Sequence, residues 1–81
     1  MSAINYQKIL KYEVARELLN GRIAVLSELI ATEERKSSPD MRVVEEMEEA
    51  ILVIGGEIHA LDVTNEAALD ASIAANSRPP C

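Results

Sequence analysis

The chain has 81 residues, a formal net charge of −6, and 48% apolar residues with no Trp, no Phe and two Tyr. That length allows one small domain, the apolar share excludes disorder by composition, and the acidic balance argues against duplex nucleic acid, which calls for a basic face. The single Cys, Cys81, cannot form an internal disulfide, so bridges contribute nothing to the fold. No stretch approaches the roughly 20 apolar residues of a membrane span, and no basic-then-apolar leader opens the sequence, so a cytoplasmic protein with no membrane role is expected. A core of Ile, Leu, Val, Ala and Met suits helices packed on helices better than stacked sheets.

Residues 3–36 read as one long helix with two apolar rows. Leu10, Val14, Leu18, Val25 and Leu29 form the first; Tyr12, Ala15, Leu19, Ile23, Leu26 and Ile30 form the second. At about 100° per residue the two rows span roughly 220° of the helix, and Glu13, Arg16, Glu17, Asn20 and Ser27 fill the wet remainder. Lys and Arg at positions 35 and 36 complement the negative helix end. Ser38 then reads as an N-cap, with Pro39 at the first helical position and Asp40 favoured by the positive end. So short a connection returns the chain antiparallel.

The second helix is expected from Pro39 to about Asp62. Val44, Met47, Ile51, Ile54, Ile58 and Leu61 recur at alternating spacings of three and four, the seam of a helix packed along its length. Residues 51–63 also fit a β-hairpin turning at Gly55-Gly56. The unbroken three-four spacing and the helix-forming EEMEEA upstream favour the helix, and no further strand exists for a hairpin to join. In an antiparallel pair Gly21 falls level with Gly55 and Gly56. That coincidence reads either as a close backbone approach or as three separately tolerated glycines, each costing about 1 kcal/mol relative to Ala.

Val63-Thr64-Asn65-Glu66 looks like a new helix start with Thr64 or Asn65 as cap, leading a short helix over 65–75 with Leu69 and Ile73 as its contacts. Residues 76–81 read as a flexible tail carrying the free thiol of Cys81. The expected fold is therefore all-α: one domain over 1–75, an antiparallel helical hairpin of two long helices plus a short C-terminal helix. The apolar excess on helix one further predicts pairing of two chains into a dimeric four-helix bundle. Leu18, Arg22, Val25, Leu29, Met47, Ile51, Ile54, Ile58 and Leu61 are the expected core and dimer residues.

The chain offers little chemistry. Glu45, Glu46, Glu48 and Glu49 fan around a helix instead of converging, and His59, the one His, is not three residues after any Glu as bundle metal sites require. One His and one tail Cys supply no nucleophile–base pair, and Gly55-Gly56 lacks the spacing of a phosphate loop. No enzyme, metal or cofactor is expected. His59 lies near Glu17 in the hairpin geometry and is a weak candidate for a pH switch. Arg22 interrupts the apolar arc of helix one. It reads either as a stem covering apolar surface or as a register device paired with Glu57 or an acid of another chain.

Charge is unevenly divided: residues 1–36 carry six basic and five acidic side chains, residues 37–81 two basic and nine acidic. Clustered acids speed encounter with a basic partner; Tyr6, Leu52 and Val53, off the seams, and Tyr12, in the second row of helix one, add amphipathic or apolar contact area. The expectation is a non-enzymatic acidic module that inhibits or regulates another protein by occupying its surface. The layout is like that of phage- or plasmid-borne antagonists of host proteins, an analogy of size and shape. The alternative is an assembly or chaperone subunit that packs helix on helix with itself or a cognate partner.

Overall fold

Three helices make up the architecture of the computed structural model, which describes residues 4–77: α1 (Ile4–Glu34), α2 (Met41–Ala60) and α3 (Glu66–Asn76). No strand occurs among the described residues, and Gly55 and Gly56 lie inside α2. The hairpin alternative thus gives way to the helix, as the continuous three-four spacing favours. The Arg78–Cys81 part of the expected tail lies outside the described residues. Asn76, expected in that tail, closes α3 instead.

The α1–α2 connection is built around one carboxylate. Glu33 Oε2 accepts from the Asp40 amide at 2.9 Å, and Oε1 accepts from Lys36 Nζ at 2.9 Å. The Asp40 amide, and after it Lys36, holds the buried Glu33 carboxyl below the usual glutamate range. This clasp corrects the expected cap. Asp40, with extended backbone (φ −89°, ψ 100°), caps α2 through its side chain, which accepts from the Arg42 amide at 3.0 Å. Ser38 and Pro39 remain outside the helix. The physical reason is competition: Glu33 has taken the Asp40 amide that a Ser38 cap would need.

α2 ends two residues before the expected Asp62. The Leu61 backbone turns extended, and the Asp62 carboxylate accepts from the Thr64 hydroxyl at 2.7 Å and the Thr64 amide at 2.9 Å. The hydroxyl, then the amide, hold the Asp62 carboxyl below its usual range. Such a local side-chain turn competes successfully with helix continuation. Asn65 then caps α3, accepting from the Ala68 amide at 3.1 Å.

The direction of α3 follows from two polar ties. Lys11 Nζ meets Glu66 at 2.7 Å and Asp70 at 2.9 Å, and Arg22 Nη1 donates to Asn76 Oδ1 at 2.8 Å. Ascending numbers on α3 meet ascending numbers on α1, so the two helices run parallel. α2 and α3 both pack on α1 and do not pack backbone to backbone on each other. Ala15 and Leu19 lie between the Lys11 and Arg22 ties and are fully buried, as is Leu69 of α3. Farther along the same row, Ile23, Leu26 and Ile30 are half-buried. Val44 and Ile54 bury the seam of α2.

Two further expectations change. A methyl group added at Gly21, Gly55 or Gly56 would meet no atom within 4 Å. The glycines are therefore not a point of close backbone approach. Arg22 pairs with Asn76, not Glu57; the folding back of α3 along α1 brings that amide alongside.

Candidate interaction surfaces

Only one of the two apolar rows on α1 is covered. The row containing Ala15, Leu19, Ile23, Leu26 and Ile30 faces α2 and α3. The other row stays in solvent: Leu10 is 45% exposed, Val14 44%, Val25 60% and Leu29 49%, with Leu18 half-buried among them. At about 100° per residue the two rows are centred roughly 125° apart, so no single neighbouring helix can cover both. Tyr6, 67% exposed, continues the outer row toward the N-terminus, whereas Tyr12 is half-buried at the edge of the inner one.

Shallow grooves border this stripe. On one side Glu13 and Glu17 line a groove with Leu10, Val14 and Leu18, and Glu28 lines another with Val25 and Leu29. On the other side Arg22 and Gly21 line a groove with Leu18 and Val25. The stripe is thus apolar with an acidic border on one side and a basic residue on the other. Arg16 approaches Glu13 at 3.8 Å, while Glu17 and Glu28 have no ion-pair partner among the described residues.

The second surface is the outer side of α2. Glu45, Glu46, Glu48 and Glu49 are all exposed and have no ion-pair partner among the described residues. Because α2 begins at Met41, its first turn contains no acid, so the helix dipole, which acts within that turn, does little for the cluster. Neighbours at three and four residues, such as Glu45 with Glu48 and Glu49, then repel, each pair costing about 0.2–0.5 kcal/mol. Next to these acids Leu52 is 75% and Val53 62% exposed. Met47, Ile51, Ile58 and Leu61 lie half-buried on the opposite side, beside buried Ile54.

His59 is exposed in the last turn of α2 and forms no ion pair with Glu17 among the described residues. No group of three or more His, Cys, Asp or Glu side chains gathers among the described residues as a metal site would need. A fourth groove, of about 400 Å³, runs between the end of α2 and α3, lined by Glu57, Ala60, Leu61, Leu69 and Ser72 among others. Among the described residues no helix is long and apolar enough to cross a membrane.

The Lys11 triad and the Glu33 clasp escaped sequence reasoning. The triad joins residues whose proximity depends on how the chain folds back, and the clasp depends on the path of the Arg35–Asp40 connection, so apolar spacing along one helix carries no signal for either. The chain matches no family model, no curated protein and no solved structure.

Proposed function

We propose that this chain acts without chemistry, as a small acidic module that binds another protein and regulates it by occupying its surface. The observation carrying this reading is the outer side of α2, where four exposed, unpaired carboxylates sit beside exposed Leu52 and Val53. A like-charge cluster that costs the free protein stability is repaid on meeting a basic surface, and apolar residues beside it give that encounter something to bury. The expected partner is a protein with a basic patch, among which nucleic-acid-handling proteins are natural examples.

Replacing Glu45, Glu46, Glu48 and Glu49 together with Gln tests the reading. Affinity capture from cells of the native host, followed by mass spectrometry, should retain a partner with the parent chain at low salt. The same partner should be lost at high salt and with the four-Gln variant, whose circular dichroism should remain that of the parent. Equal capture by parent and variant at both salt concentrations would remove the acidic cluster from the function.

A second reading, an assembly subunit packing helix on helix, is favoured by a different observation: the uncovered stripe of α1. The two readings use surfaces on different sides of the molecule and are compatible. A chain that self-associates through α1 keeps the outer side of α2 free for a partner.

A further inference from the structure

We infer that a second copy of this chain covers the α1 stripe, with the two α1 helices side by side and parallel. The inference rests on the assembly reading above, not on the acidic surface of α2.

Exposure makes the first argument. Leu10, Val14, Val25 and Leu29 are each 44–60% exposed along one row of α1, a continuous apolar stripe of the kind that marks an interface. A helix with the same row is the complement such a surface needs, and the chain itself supplies one.

The charged borders choose the direction. In an antiparallel pair each border meets its own kind, so Glu13, Glu17 and Glu28 of both copies would share one seam. In a parallel pair the acidic border of one copy meets the Arg22 side of the other. Glu17 then comes level with the partner copy's Arg22, five residues on, where flanking residues of parallel helices meet and set orientation. Arg22 uses one nitrogen on Asn76 and keeps further donors for this contact. Gly21, open within the stripe, allows the two helices to come close at the middle of the seam.

The test uses the full chain carrying Cys81→Ser, so that the native thiol cannot bridge copies. Sedimentation equilibrium should give a dimer at micromolar concentration that persists in high salt. Val25→Glu should raise the dimer Kd at least 100-fold with unchanged circular dichroism, because Val25 takes no part in the chain's own core. Glu17→Arg should weaken the dimer about threefold to tenfold, as expected of exposed ion pairs formed twice, and Arg22→Glu in the same chain should restore it. For direction, Leu10→Cys on the same background should oxidise to a covalent dimer by itself. In an antiparallel pair the two Leu10 positions would lie about 28 Å apart, and only a mixture of Leu10→Cys with Leu29→Cys would cross-link. A folded monomer at tens of micromolar overturns the inference, as does a dimer indifferent to Val25→Glu; cross-linking confined to the mixture overturns the parallel arrangement. None of these results bears on the four-Gln experiment, so the two readings fail separately.

Discussion

Glu33 and Gly55 show how much single positions decide here. Glu33 links the end of α1 to the start of α2 by accepting from the Asp40 amide and Lys36. Its carboxyl is held below the usual glutamate range near 4.5, so the charged form belongs to the folded chain. The stability it supplies is therefore full above that range and is lost as pH falls through it and down to the lowered folded value. Thermal melts from pH 7 to pH 3 should fall on the acid side, and Glu33→Gln should lower Tm at pH 7 and flatten that acid limb. Gly55 gives the opposite lesson. A methyl group placed there meets no atom within 4 Å, so Gly55→Ala gains helix propensity without a clash and should stabilise by up to about 1 kcal/mol. A lower melting temperature for that variant would mean that the helices approach more closely than their side-chain packing indicates.

Among the elements, α1 is the one on which the other two depend. α2 returns along it and α3 runs beside its first half, with no close backbone approach between α2 and α3. Losing the anchor of α3 should therefore release α3 without α2. Leu69 is the fully buried anchor of α3, and truncating such a Leu to Ala costs about 2–5 kcal/mol. Leu69→Ala should abolish hydrogen-exchange protection over Glu66–Asn76 while α2 keeps its protection. Ile54→Asp, by contrast, sets a charge in the buried seam between α1 and α2 and should unfold the whole chain. If Leu69→Ala also lost protection uniformly, the three helices would form a single cooperative unit.

Across the molecule, few side chains do most of the burying. The fully buried apolar residues are Ala15, Leu19, Val44, Ile54 and Leu69, in a body extending 58 × 26 × 16 Å. Burying a Val or Leu side chain fully is worth about 1.5–3 kcal/mol. Leu10, Val14, Val25 and Leu29 are each about half exposed, so covering them in a dimer would add roughly half of that amount per residue. Dimerisation would also present two acidic surfaces at once. On a sensor densely coated with the captured partner, Val25→Glu should then dissociate at least tenfold faster than the parent, through loss of bivalency. One-to-one binding in dilute solution should be unchanged.

Residue spacing alone was enough to define the helices and their apolar rows. Those features depend on neighbours within about one turn, which the 3.6-residue period reads directly. The third helix was legible to within one residue of its ends, because Asn65 caps whatever helix follows it. The start of α2 was missed by two residues, because a carboxylate seven positions upstream captures the Asp40 amide. The partner of Arg22, the irrelevance of the glycine alignment and the choice of covered row on α1 emerged only once the helices were packed. Two rows roughly 125° apart are both apolar in sequence. The Lys11 and Arg22 ties lay α3 along one side of α1, so that α2 and α3 together close over one row and leave the other open.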